Sequence, residues 1–277
     1  MMHRAINEEG ASNKSNVERT CERSSVTESP VMVRDSILAV DIGATTTKFA
    51  TVDDQGRLVD EVRREPTPYP CSPERLVDFV LGHVVRSGCA RVGVGFPGDL
   101  HEGRVVEPGN LSRPRGFTSP IDPELHEAWQ GTYLERTFRE ASGLDVRVVN
   151  DATLAALGCC EGRGRELVFT LGTGFGIALV VDDVNVRIRD VGDEACLDGL
   201  SYDEVLGDLA RSRDEGLWND RVVVAVTNFV DEFSADVAHL GGGNSRRVDV
   251  AHFKAQRWRV VVNDNVATLR GAAKLFR

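Results

Sequence analysis

Two carboxylates, Asp41 and Asp151, stand where side chains of their type can do chemistry. Each follows an apolar run that reads as a buried strand: Ile37-Leu38-Ala39-Val40 before Asp41, and Val146 to Val149 before Asn150-Asp151. An Asp at a strand end can hold a divalent cation, usually through water. Beyond Asp41 the chain turns through Gly43 and Ala44 into Thr45-Thr46-Thr47 and Lys48. A turn of small residues lets backbone N–H groups approach an anion closely. Together these are parts of a phosphate-and-metal site, while the stretch taken alone also reads as a hairpin with an exposed Asp and no function. After Asp151 a helix begins at once, through Leu154, Ala155, Ala156 and Leu157. Asp151 therefore reads either as the N-cap of that helix or as a catalytic base held rigidly beside a cleft.

A second stretch echoes the first. Leu171-Gly172-Thr173-Gly174-Phe175-Gly176 lies between strands over Glu166 to Thr170 and Ile177 to Val181, giving a hairpin with a threonine at its tip. Two such hairpins in two halves of one chain predict a duplicated fold whose turns face each other. A strand over Val237 to Leu240 ends in Gly241-Gly242-Gly243-Asn244. Three glycines after a strand allow a flat ligand such as an adenine ring to lie against backbone. A strand over Arg91 to Gly95 runs into the tight turn Phe96-Pro97-Gly98-Asp99, and such strand-end loops commonly border ligands in open α/β sheets. Asn110, in an irregular loop lasting to about Pro123, can bind a hydroxyl-rich ligand or simply make a turn.

The elements needed to position these residues follow from periodicity. A third strand is expected over Arg57 to Glu65, and Pro66, Pro68, Pro70 and Pro73 mark an extended crossing segment. Ser72, Pro73 and Glu74 open a helix whose apolar stripe is Leu76, Phe79, Val80, His83 and Val84. A short strand is expected over Arg104 to Glu107, with helices over Tyr133 to Ala141, Tyr202 to Arg213 and Trp218 to Phe233. A strand over Arg259 to Val262 precedes a final helix, Val266 to Phe276. Asp182 to Ser201, rich in Asp and Arg, reads as short strands and loop.

The 277 residues are enough for two lobes, and a formal net charge of -10 argues against nucleic acid as the main partner. No apolar run approaches the ~20 residues that span a bilayer, and the N-terminus lacks a secretory apolar core, so a cytoplasmic protein without membrane partners is expected. Residues 1–35 are polar and read as a disordered tail. The six cysteines are scattered, and Cys159 and Cys160, as neighbours on a helix, point about 100° apart. That arrangement suits neither a disulfide nor a two-ligand metal site, and reduced thiols are expected.

Five segments, in this order, resemble the ROK family of sugar kinases and repressors, more closely its glucokinase and polyphosphate-glucokinase branch. They are Asp41-Ile42-Gly43-Ala44-Thr45 with Lys48, Asn150-Asp151-Ala152, Leu171 to Gly176, Leu240 to Asn244, and Gly271-Ala272-Ala273. The resemblance covers about residues 37–277. It implies an α/β fold of the two-lobed actin-like (ribonuclease H-like) ATPase type, with mixed sheets flanked by helices and a cleft between the lobes. Residues 36–160 plus 265–277 would form the small lobe and 161–264 the large one. It implies phosphoryl transfer from ATP or polyphosphate to a sugar hydroxyl, with Asp151 as general base and Asp41 orienting Mg2+. Gly43, Ala44, Thr45, Lys48, Thr173 and Gly174 would meet the phosphates, and Gly241, Gly242 and Gly243 would border the donor. Asn110 and Asn150 would bind sugar hydroxyls, with Gly98 and Asp99 in the same wall. A homodimer is compatible with the resemblance.

The sequence also departs from the family. Ala44 replaces the second of two adjacent glycines, and its methyl either crowds a phosphate or is tolerated at negative φ. The family's cysteine-rich zinc site is absent, so no structural zinc is expected. Asp190 and Asp193 fall where the family places a sugar-holding glutamate and histidine, which swaps a donor for an acceptor. These changes keep open a modified sugar or cyclitol as substrate, and a degenerate, non-catalytic sugar or nucleotide sensor as the alternative function. For a polyphosphate donor, Arg163 with Arg165, Arg246 with Arg247 and Arg257 with Arg259 are candidates for a basic groove or for solvated surface.

Overall fold

The computed structural model describes residues 36–253 and 256–277. The expected tail over 1–35 lies outside the described residues. The first half runs β1 (Ile37–Ile42), β2 (Thr46–Val52), β3 (Arg63–Pro66), α1 (Pro73–Ser87), β4 (Arg91–Phe96), β5 (Asp99–His101), β6 (Arg104–Glu107), β7 (Pro114–Phe117), α2 (Pro123–Trp129), α3 (Leu134–Ser142), β8 (Asp145–Asn150) and α4 (Asp151–Cys159). The second half runs β9 (Arg165–Leu171), β10 (Phe175–Val181), β11 (Val184–Val186), β12 (Ala195–Leu197), β13 (Leu200–Ser201), α5 (Tyr202–Leu206), α6 (Asp208–Arg213), α7 (Glu215–Phe233), β14 (Val237–Gly241), β15 (Arg259–Val262) and α8 (Ala267–Gly271).

Two five-stranded sheets share one plan. The first is ordered β3-β2-β1-β4-β8 and the second β11-β10-β9-β14-β15. In each, a hairpin and its outer neighbour are antiparallel, and two further strands join parallel to the hairpin's first strand. The expected duplication is thus present in strand order and direction. Apart from Asp41, β1 is apolar throughout because both of its faces are covered: Leu38, Val40 and Ile42 pack in one cluster, Ile37 and Ala39 in another. α4 lies between the two sheets. Its Leu154 packs beside Ile37 and Leu269, while Ala152, Ala155 and Ala156 pack on Val168, Ala178 and Val180. Its small, apolar composition follows from contact on both sides. α8 crosses α4 through glycines: a Cβ on Gly271 would fall onto the Leu154 carbonyl oxygen, and one on Gly158 onto that of Ala267.

Four elements differ from expectation. The strand expected over Arg57 to Glu65 is reduced to β3 and an isolated bridge from Leu58 to Val52, and between them the Asp60 carboxylate takes the Thr51 N–H at 2.6 Å in place of a ladder bond. The loop expected after Asn110 contains β7 and the start of α2, capped by Asp122. The helix expected over Tyr202 to Arg213 is two helices, broken where Gly207 is extended (φ -74, ψ 173) beside the Thr173 carbonyl. The final helix is α8 followed by a 3-10 turn, Ala272–Phe276. The helix opened by Ser72 is as expected: the Ser72 side chain accepts from Arg75 N and Pro73 stands in the first turn.

Candidate active site

Both hairpin turns open onto one cleft of about 720 Å³, within the usual range for small-molecule sites. Asp41 lies one residue from the end of β1, paired in register with Lys48 of β2. It is 8% exposed, and Lys48 Nζ donates to its Oδ2 at 2.8 Å. The turn after it is tied back by the crossing segment. Thr67 Oγ1 donates to the Gly43 carbonyl and Tyr69 OH to the Ala44 carbonyl, both at 2.7 Å. Ala44 is not among the residues with positive φ, so its methyl sits on unstrained backbone.

The second turn comes within reach of the first: the Thr45 and Thr173 hydroxyls are 3.1 Å apart. It is held from the second half. Phe175 N donates to Asp203 Oδ1 at 2.7 Å, Asp208 N to the Gly172 carbonyl, and Asn244 N to the Leu171 carbonyl. Gly242 adopts φ 84 against the Leu171 backbone, where a side chain would not fit.

Between the turns stands Asp151, the first residue of α4. Asn150, not Asp151, caps this helix, its Oδ1 accepting from Ala152 N and Thr153 N. Asp151 is thus not the N-cap, although its Oδ1 accepts from the adjacent Ala152 N at 2.7 Å. Burial, then Asp41 and Asp190, push the Asp151 carboxyl up to about 8. A carboxyl tuned toward neutrality is suited to general-base work. Asn150 also donates from Nδ2 to the Gly98 carbonyl at 2.9 Å, leaving one amide hydrogen for a ligand.

The remaining residues predicted for the sugar line the same cleft. Asn110 lies in a 3-10 turn, Gly109–Ser112, on the cleft. Asp99 belongs to β5 rather than to a plain turn, and Arg187 from the second half donates to its Oδ2 at 3.1 Å. Asp190 accepts from Gly192 N, and crowding by protein raises its carboxyl although cleft water reaches it. Asp193 is exposed at the rim. Of the predicted residues, all but Gly241 line the cleft. None of the six arginines proposed for a polyphosphate groove does. Arg165 is bound to the Phe233 carbonyl, Arg247 pairs with Glu215, and Arg259 pairs with Glu161.

Asp203 escaped the sequence reading. It lines the cleft, and burial leads in raising its carboxyl to about 6, helped by Asp193 and Asp190. A Cβ on Gly192 would meet both Asp203 Oδ1 and Asp190 Oδ1, at 2.9 and 3.4 Å, so these two acids face one small space. The signal available was the capping box Ser201-x-x-Glu204, which fixes Asp203 in the first turn of α5. Arg113, whose Nη1 donates to the Ser119 carbonyl, and Arg187 also reach the cleft without a sequence signal.

Residues 37–187 match the model of the ROK family. An N-acetylmannosamine kinase from Citrobacter koseri is 32% identical over 155 residues, 53% of this chain and 48% of that protein, so the match spans about half the relative's length. Among solved structures, the inorganic polyphosphate/ATP-glucomannokinase from Arthrobacter sp. strain KM superposes with a TM-score of 0.70 and 28% identity, covering 87% of this chain and 98% of that one. A ROK family glucokinase from Streptomyces griseus, solved with glucose and AMPPNP, gives a TM-score of 0.62 at 19% identity, covering 87% and 98%, a likeness of fold.

Proposed function

The chain belongs to the ROK family, and from that premise we propose that it is a sugar kinase, moving a phosphoryl group from ATP or polyphosphate to a hydroxyl of glucose or a related hexose or cyclitol. The observation that carries this reading is Asp151, which is not the N-cap of α4, is raised toward neutrality and shares one cleft with two phosphate-type turns. In this reading the Asp151 carboxylate takes the proton of the attacking hydroxyl as its oxygen bonds to phosphorus. The bond from phosphorus to the donor's bridging oxygen breaks, releasing ADP or a shortened polyphosphate.

The residues suit the rest of that reaction. Asp41 offers a carboxylate whose Oδ1 is not engaged by Lys48, a hard oxygen ligand of the kind that Mg2+ takes sparingly from protein. Bound there, Mg2+ would neutralise phosphate charge. Lys48, Gly43, Thr45, Thr173 and Gly174 would hold phosphoryl oxygens, and Gly242 and Gly243 would border the donor. Asp190 and Asp203 would accept from sugar hydroxyls, with Asn110 beside them. The likeness to a polyphosphate/ATP-glucomannokinase supports testing both donors.

The test is a matrix of hexoses, N-acetylated amino sugars and cyclitols against ATP and polyphosphate, with Mg2+, scored by sugar phosphate formed. Phosphorylation of at least one acceptor is expected. Calorimetric binding of sugar with no product from any pair would overturn the kinase reading and leave a sensor.

A further inference from the structure

Away from the cleft, three side chains of different chemistry converge where α4 meets the second sheet. Cys160 follows α4 directly, Glu166 lies in β9 and His239 in β14. Their exposures are 9%, 0% and 1%, and one donor atom from each lies within 4.8 Å of the other two. A thiol, a carboxylate and an imidazole, brought from three elements into buried positions, form a donor set of the type that holds zinc. We propose that Cys160, Glu166 and His239 form a structural site for Zn2+ or a similar divalent transition cation, at the junction of α4 with the second sheet.

The geometry needs little adjustment. His239 Nε2 and Glu166 Oε2 are 2.8 Å apart and share a hydrogen bond. Ligand atoms at about 2.0–2.2 Å from a tetrahedral zinc lie roughly 3.4 Å from each other, so this contact opens by about half an ångström as the metal replaces the shared proton. The His239 proton moves to Nδ1, which faces the Asn263 amide at 3.4 Å; turning that amide presents its oxygen as acceptor. The Cys160 thiol gives up its proton, so one proton leaves per metal bound. Glu166 stays anchored meanwhile, because Gly162 N and Arg163 N donate to its Oε1 and Glu161 N to its Oε2. Those backbone bonds orient a ligating carboxylate as outer-shell partners do. With three protein donors, the fourth position would be left to a water brought in with the metal.

The neighbouring cysteines argued against metal only while both were placed on the helix. α4 ends at Cys159, and Cys160 is extended (ψ 143), which frees its side chain from helical spacing. A metal here would tie the end of the helix that begins with Asp151 to the two strands that lead into the turns at Gly172 and Gly242.

The experiment uses the full chain without an affinity tag, expressed with zinc in the medium, dialysed and analysed by plasma mass spectrometry, then stripped and loaded with Co2+. The expected result is about one zinc per chain and, in the cobalt form, a near-ultraviolet thiolate-to-cobalt absorption. Cys159→Ser should keep that absorption and Cys160→Ser lose it. Wild-type protein that retains no zinc and shows no thiolate band with cobalt overturns the proposal, and so does a band that survives Cys160→Ser. The wild-type spectrum decides even where Cys160→Ser fails to fold.

Discussion

The two hairpins of this protein have one topology and different chemistry. In the first, the pair just inside the turn is Asp41 with Lys48; in the second, the corresponding pair is Thr170 with Gly176. The first hairpin carries its own carboxylate and ammonium group. The second has neither at that pair, and its turn is held by a carboxylate from elsewhere, Asp203 on Phe175 N. A duplicated scaffold thus places a charged pair on one side and a neutral pair on the other, which in the proposed reading divides metal and phosphate binding from neutral donation. Asp151 stands between them at the start of the helix that packs on both sheets. The lesson is that shared topology sets where the turns meet, while the residues one pair inside the turn set what each half contributes.

The sharpest test of the arrangement is the group between the hairpins. Asp151→Asn should cut kcat by about 10²–10⁴-fold without loss of fold; turnover near wild type would remove Asp151 from its role. The active form of a base is the deprotonated one. With its carboxyl pushed up to about 8, kcat/KM for the sugar should fall as pH drops below that value rather than near 4, the ordinary carboxylate range (about 3.9). Next in size is the contrast between the hairpins. Asp41→Asn should lower turnover about 10²-fold or more and weaken the response to Mg2+. Thr170→Val, at the matching place, should change kcat by about tenfold or less, the scale of one neutral hydrogen bond. Equal losses in the two variants, measured under saturating donor, would break the proposed division.

The carboxylate of the second half has an energetic signature. The Asp203 carboxyl is raised from 3.8 to about 6, so the folded state binds its proton more tightly than the unfolded chain does. Its stabilising effect is complete below the unfolded value and is lost as pH rises through the folded one. Asp203→Asn keeps an acceptor for Phe175 N and removes that loss. The variant should be more stable than wild type by about 1–2 kcal/mol at pH 8, after discounting for cleft water, and the gain should fade as the pH approaches 4. Thermal unfolding at several pH values reads this directly. A gain that does not vary with pH would mean that the carboxyl titrates normally. Weaker sugar binding should accompany the added stability, as is common where a site is built from crowded acids.

How far the site could be read from sequence depended on where each residue stands in the chain. Asp41, Asp151 and the turns at Gly43 and Gly172 are local: an apolar run, an acid or glycine, then another run, with nothing distant needed to recognise them. The facing of the two turns was also legible, because it follows from repetition. Asp203 was not, since it acts through Phe175, 28 residues away, and the break at Gly207 that accompanies it depends on contact with Thr173. The Arg187–Asp99 pair spans 88 residues and lies in a stretch without periodicity. Cys160 was misplaced for a related reason. Propensity does not mark the end of α4, which is set by Glu166 drawing in the backbone N–H groups of Glu161, Gly162 and Arg163.

The smallest expected effect concerns the one residue of the first turn that departs from a glycine pair. If the methyl of Ala44 obstructed the donor, Ala44→Gly would raise turnover strongly. The structure argues otherwise. Ala44 is not held at positive φ, so glycine relieves no strain there, and the Ala44 carbonyl is already fixed by the Tyr69 hydroxyl. Glycine instead adds freedom to the unfolded chain, at a cost of about 0.5–1 kcal/mol. Ala44→Gly should therefore leave kcat within about twofold, less than 0.5 kcal/mol in barrier, while lowering the unfolding midpoint slightly. A tenfold gain in turnover with ATP, but not with polyphosphate, would instead identify the methyl as an obstacle to the nucleotide donor. In that case the first hairpin would be specialised against one donor as well as charged for phosphate.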